Sequence, residues 1–174
     1  MRLVRLGKKG DERPGVLVAG DRYVDVSDVV GDYNEAFFES GAIDDLRALV
    51  RLRESRGETE TVDGLRVGAP IARPRQIICI GLNYRDHALE TGQAIPTTEP
   101  IVFNKAPGTL VGPNDAVIVP KGSAKTDWEV ELGIVVRRRA SYLEDEAGAA
   151  DHIAGYVLVN DVSERAWQLE RGFQ

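Results

Sequence analysis

At 174 residues and 19.0 kDa, with 43% hydrophobic and 29% charged residues, the chain is sized for one domain or one domain with a small appendage, and its composition excludes a wholly disordered polymer. Lys and Arg total 22 against 28 Asp and Glu, and the resulting net charge of −6 does not suit a protein that lives on phosphate backbones. No apolar run approaches the roughly 20 residues that cross a bilayer, MRLVRLGKKGDERPG contains no apolar signal core, and a single cysteine rules out an intramolecular disulfide. These features predict a cytoplasmic protein with no nucleic-acid or membrane partner. Two histidines and one cysteine argue against a structural zinc site, so any metal here is expected to be held mostly by oxygen.

The pattern divides the chain into a small N-terminal α/β domain, residues 1–72, and a second part, 73–174. GVLVAG and RYVDVSDVV flank the turn pair Gly20-Asp21 and predict a β-hairpin. IDDLRALVRLRESRG follows with Ile43, Leu46, Leu49, Val50 and Leu52 as an apolar stripe, Asp44 and Asp45 in the first turn and Gly57 as the stop. ETETVDGLRVGAPIARPR reads as a linker. Beyond it, QIICI is a short continuous apolar run expected to be a buried strand, and LNYRDHALETG a short helix capped by Asn83. PIVFNK, AVIVP, WEVELGIVV and HIAGYVLVN read as strands; Asp145–Ala150 and SERAWQLERG read as helices. Strands that often follow one another directly predict an α+β fold with a mixed or antiparallel sheet.

Glu129 and Glu131 alternate with Trp128, Val130 and Leu132, so on a strand the two carboxylates project side by side. The apolar GIVV that follows suggests that this strand enters a core. Like charges at that spacing repel unless a proton or a cation relieves them, and Mg²⁺ or Mn²⁺ is a natural oxygen-bound partner. The simpler reading is a solvated acidic face. Asp161, at the end of GYVLVN, is placed to complete such a site, or alternatively to cap a helix together with Ser163. His87 and Glu90, at i and i+3, share one helix face, where a carboxylate orients an imidazole that activates water; an ordinary surface ion pair is the alternative. Lys105 ends its strand either facing a substrate carboxylate or in solvent. Cys79 reads as a small buried hydrophobe, His152 as structural or exposed, and Arg137-Arg138-Arg139 as a solvated turn.

IICIGLNYRDHALETG, EPIVFNK, TDWEVELGIVV and IAGYVLVNDVSERAWQ, in this order, resemble the fumarylacetoacetate hydrolase family from about Arg75 to Gln168, and the opening residues resemble the variable N-terminal domain of many members. The resemblance implies the mixed β-sheet roll of that family's catalytic domain and a homodimer. It implies Mg²⁺ or Mn²⁺ on Glu129, Glu131 and Asp161, water activation by His87 and Glu90 on a lid helix, and a substrate carboxylate facing Arg165 and Gln168. Substrates of the family are 2-oxo or β-diketo acids, and its members include acylpyruvate and diketo-acid hydrolases, oxaloacetate decarboxylases and isomerases. It also implies a lysine in a Gly-Lys-Ser-like segment and further sheet after residue 174; Lys121 and Lys125 precede the acidic strand and are not that lysine. The expected activity is hydrolysis of a C–C bond in a small diketo or 2-oxo acid. Decarboxylation, isomerisation and a catalytically incomplete metal-binding fragment are the alternatives.

Overall fold

The computed structural model describes residues 1–170. Strands β1 (Arg2–Leu6), β2 (Arg13–Leu17), β3 (Arg22–Asp25) and β4 (Glu60–Thr61) form an antiparallel sheet in that order. The expected hairpin is β2–β3, closed by the Arg22 N–H donating to Ala19 O (2.9 Å) with Gly20 at φ 57°. Helix α1 (Glu35–Glu39) starts where the Asn34 side chain accepts from the Phe37 N–H, and α2 (Ala42–Ser55) starts after Gly41, which is left-handed at φ 80°. The two helices and the sheet enclose a core of Val16, Val24, Val26, Val30, Tyr33, Phe37, Phe38, Leu46 and Val50. Each large apolar side chain there stabilises the fold by about 1.5–3 kcal/mol relative to exposure. Tyr33 is fully buried, and its hydroxyl donates to Gly15 O at 2.8 Å. The apolar stripe of α2 meets this core through Leu46 and Val50, with Ile43 and Leu49 packed against it, whereas Leu52 lies on the solvent side.

The stretch read as a linker does not hang free. β4 pairs with β3, Val67 bridges to Leu6, and the Arg66 guanidinium reaches into an ionic chain. Arg5, almost fully buried, is held by Asp32 and Glu12; Arg66 joins Glu12 (2.8 Å) to Asp115 (2.5 and 2.7 Å). Asp115 also accepts from the Gly112 N–H at 2.8 Å. A Cβ on Gly112 would stand 2.3 Å from Val67 O, so only glycine lets this turn sit against residues 67 and 68.

The remaining strands form hairpin ladders: β5 (Ile77–Gly81) with β6 (Ile101–Lys105), β7 (Thr126–Asp127) with β10 (Ser163–Glu164), and β8 (Val130–Val136) with β9 (Ile153–Asn160). Every strand pair among the described residues is antiparallel, as strands in direct succession favour. Helix α3 (Arg85–Glu90) follows β5; α4 (Glu146–Ala149) is capped by the Asp145 side chain. The far end of β8–β9 docks on the N-terminal layer: Val135 and Ala154 pack on its core, and Arg137 pairs with Asp44 on α2 at 3.0 Å.

Several expectations are corrected. AVIVP forms no strand among the described residues, and Ile118 is 90% exposed. β5 is not buried: Ile78 and Ile80 face solvent on one side. β8 begins at Val130 and buries neither face fully; Val130, Leu132, Ile134 and Val136 are exposed together with Tyr156 and Leu158 across the ladder. Asn83 does not cap α3, whose preceding residue is Tyr84 with no side-chain cap. SERAWQLERG is not one helix. Ser163 and Glu164 continue the ladder as β10, Ala166–Glu170 makes a π-helical turn, and residues 171 and 172 of that reading lie outside the described residues.

Two hydrogen bonds from Arg66, and another from Gly112, hold the Asp115 carboxyl down at about 2, against an ordinary value of 3.8. A depressed carboxylate contributes stability above its unfolded value and loses it as pH falls through its folded value. Asp115→Asn is therefore expected to lower the melting temperature at pH 7, with the gap to the parent chain closing between about pH 4 and pH 2. A gap independent of pH in thermal melts would assign Asp115 a role other than this ion pair.

Candidate active site

The site is built on one antiparallel register. Val130 faces Asn160, Glu131 faces Val159, and beyond the end of β9 the same offset brings Ser163 opposite Asp127. Between these blocks the Asp161 N–H donates to Glu129 O at 2.8 Å, and the Arg165 N–H donates to Lys125 O at 2.9 Å. Directly opposed residues share a sheet face and successive residues alternate. Asp127, Glu129, Glu131, Asp161, Ser163 and Arg165 therefore fall on one face, and the exposed apolar row of β8 falls on the other. Gly133 belongs to the first face: a Cβ there would stand 2.7 Å from Val157 Cγ1, so the close approach beside Glu131 requires glycine.

Two cations offset the carboxylates. The Lys105 ammonium pairs with Asp161 and donates to Val162 O and Ser163 Oγ, each at 3.2 Å. The Arg165 guanidinium pairs with Glu129, donates to Asp127 Oδ2 from Nε (3.1 Å) and Nη2 (3.0 Å), and donates to Gln168 Oε1 from Nη1 (2.9 Å). Burial works against the Arg165 charge, but the bonds to Asp127 and Glu129 carry its pKa above the ordinary value; the same guanidinium holds Asp127 below its own. Cys79 and Lys105 lie on one face of β5–β6 by register. Burial, then the Asp161 carboxylate, pushes the Cys79 thiol up, which leaves it a neutral neighbour of the site.

The sequence-derived residues are thus largely brought together: Glu129, Glu131, Asp161, Lys105, Arg165 and Gln168 converge on this end of the ladder. A divalent cation fits the donor set by chemistry, three carboxylates on one face at the end of two paired strands. As they stand, Glu129 and Asp161 are turned to Arg165 and Lys105, and no three His, Cys, Asp or Glu side chains among the described residues are gathered closely enough to hold an ion.

His87 and Glu90 lie on α3 as expected, His87 half-buried and Glu90 exposed, but no hydrogen bond or ion pair joins them. Tyr84, which sequence reasoning passed over, tethers the start of α3 to the site: its hydroxyl accepts from the Leu132 N–H at 3.0 Å. Leu82, in the link from β5 to α3, adopts a left-handed φ of 51°, a conformation rare outside glycine. Asp127 was also missed. The signal for it lay in plain sight, as D-W-E-V-E is one alternating run whose first carboxylate shares the face of the other two.

The family described as fumarylacetoacetate (FAA) hydrolase, C-terminal, matches residues 76–174. A relative from Burkholderia ambifaria (strain MC40-6), named as a hydrolase without a substrate, is 47% identical over 176 residues, covering 100% of this chain and 60% of its own length. The chain thus spans about 60% of the length of the curated relatives it matches. Among solved structures, fumarylacetoacetate hydrolase from Exiguobacterium antarcticum is similar at 30% identity and a TM-score of 0.70, over 98% of this chain and 59% of that one. Maleylpyruvate hydrolase from Sphingobium sp. SYK-6, in complex with manganese(II) and pyruvate, shares the fold at a TM-score of 0.74 and 21% identity, over 95% of this chain and 60% of that one. With its α+β fold and the matched residues 76–174, the chain belongs to the fumarylacetoacetate hydrolase family.

Proposed function

We propose that the chain carries the divalent-metal and substrate-carboxylate half of a site that hydrolyses a C–C bond in a small acylpyruvate-type or diketo acid. The observation that carries this reading is the single face holding Glu129, Glu131 and Asp161 with Arg165 at its margin. Glu129, Glu131 and Asp161 would hold Mg²⁺ or Mn²⁺, which supplies Lewis-acid polarisation of a 2-oxo acid when bound. The manganese and pyruvate of the Sphingobium relative support a divalent ion and a 2-oxo acid as the class of ligand.

The chain's own residues divide the remaining work. Arg165 presents a planar fork suited to a carboxylate, and the Gln168 amide fixes one side of that fork through Nη1. Lys105 offsets the excess negative charge around Asp161. His87, on the helix whose start Tyr84 ties to β8, is the candidate base. It takes a proton from water, and the resulting hydroxide adds to the distal carbonyl. The C–C bond breaks with its electron pair passing to the pyruvate enolate, which recovers a proton, giving a carboxylic acid and pyruvate. A second reading, decarboxylation of a 2-oxo acid, draws on the same carboxylate face and needs no activated water.

The test is turnover of the chain with Mn²⁺ against acylpyruvate and oxaloacetate. Acylpyruvate hydrolysis supports the first reading; oxaloacetate decarboxylation alone supports the second; Mn²⁺ binding without turnover of either marks a metal-binding portion that lacks catalytic parts. Glu131→Gln is expected to weaken Mn²⁺ binding at least tenfold by calorimetry, because it removes one of three charged ligands; unchanged affinity overturns the metal assignment. His87→Ala is expected to slow hydrolysis by about 10²–10⁴-fold while Mn²⁺ affinity stays near the parent value. A parallel loss of Mn²⁺ affinity would make His87 part of the metal environment instead of the base.

A further inference from the structure

The Arg165 guanidinium is shared between two carboxylates with different prospects. Glu129 belongs to the donor set assigned to the cation; Asp127, two residues earlier on the same face, does not. Asp127 receives both Nε and Nη2 of Arg165 on one oxygen, at 3.1 and 3.0 Å, and Gln168 receives Nη1. Asp127 is itself fixed: its other oxygen accepts from the Trp128 N–H at 2.9 Å, and the β7–β10 pairing sets it opposite Ser163. Once Glu129 serves a cation, Asp127 and Gln168 are the two groups that still fix the plane of the guanidinium.

We propose that Asp127 is a positioning residue, which orients Arg165 toward a substrate carboxylate independently of the metal ligands. This rests on the reading of Arg165 as the substrate-carboxylate group. A guanidinium recognises a carboxylate through a planar pair of N–H groups, so freedom to rotate about the side chain costs affinity without removing charge from the site. Asp127 touches neither metal nor substrate in this role. Its loss therefore weakens anion binding through Arg165 alone, and the two residues behave as one unit.

The experiment uses the full 174-residue chain with Mn²⁺ and pyruvate as probes, both followed by the water-proton relaxation of bound Mn²⁺. Asp127→Asn is expected to weaken pyruvate binding at saturating Mn²⁺ about fivefold, in keeping with a partly exposed charged pair. Mn²⁺ affinity is expected to change less than about twofold, and the double variant with Arg165→Gln should bind pyruvate no worse than Arg165→Gln alone. Asp127→Ser replaces the asparagine variant if thermal melts show that Asn costs the fold. Unchanged pyruvate affinity, additive losses in the double variant, or equal losses of Mn²⁺ and pyruvate affinity would each overturn the role of Asp127. If Arg165→Gln leaves pyruvate binding intact, the assignment of Arg165 falls and takes this inference with it; if the parent chain binds no Mn²⁺, the metal reading itself has failed.

Discussion

One antiparallel register, running from Lys125–Val135 against Gly155–Arg165 and broken only by a shift between Val135 and Val136, fixes almost everything else about the site. Because strand side chains alternate with a period of two, a slip of one residue would send the acidic set to the opposite face and turn the apolar row of β8 toward the cations. Two features resist that slip. Gly133 admits Val157 at a distance no other residue allows, and the far end of the hairpin is locked on the N-terminal layer by Val135, Ala154 and the Arg137–Asp44 pair. The N-terminal sheet and helices thus serve the site as its anchor.

The same register creates an electrostatic problem. Asp127, Glu129, Glu131 and Asp161 crowd one face, and in a partly desolvated setting their repulsion opposes folding. Lys105 and Arg165 answer it from different elements, β6 and the segment after β10. Both cations also suit an anionic substrate, so the groups that let the acidic face fold are the ones that a substrate would engage. A net charge of −6 is therefore no obstacle to an anionic ligand: the charge that matters is arranged locally, and a divalent ion would shift it further.

What could be read from residues alone followed from periodicity. The β2–β3 hairpin, helix α2 and the strands β5, β6, β8 and β9 all declare themselves by alternation, stripes or turn pairs. The E-x-E pair and Asp161 were legible because two carboxylates at i and i+2 need a reason. The failures share a cause as well. AVIVP read as a strand, and QIICI and the β8 run as buried, because their composition is apolar, yet composition reports what a segment would bury, not what lies beside it. Ser163 and Glu164 read as helix because Ser and Glu favour helix starts; pairing with Thr126 and Asp127, far away in sequence, overrode that local preference. Tyr84 escaped for the same reason, since it acts through a partner 48 residues away; Asp127 shared the local alternation, but its bond to Arg165, 38 residues away, was not legible.

The two halves of the proposed chemistry are held in unequal ways. Arg165 is gripped by side-chain bonds to Asp127, Glu129 and Gln168 and by its backbone bond to Lys125, which suits a group that must meet a carboxylate in one orientation. His87 rides on a six-residue helix without a side-chain cap, reached through a left-handed Leu82 and tied to β8 by one hydrogen bond from Leu132 to Tyr84. A strained link costs on the order of 1–3 kcal/mol and persists only while its surroundings enforce it. The proposed binding groups therefore sit on the ladder, where register fixes their spacing. Proton transfer is assigned in that proposal to a short helix that buries Ala88 and is joined to β8 through Tyr84.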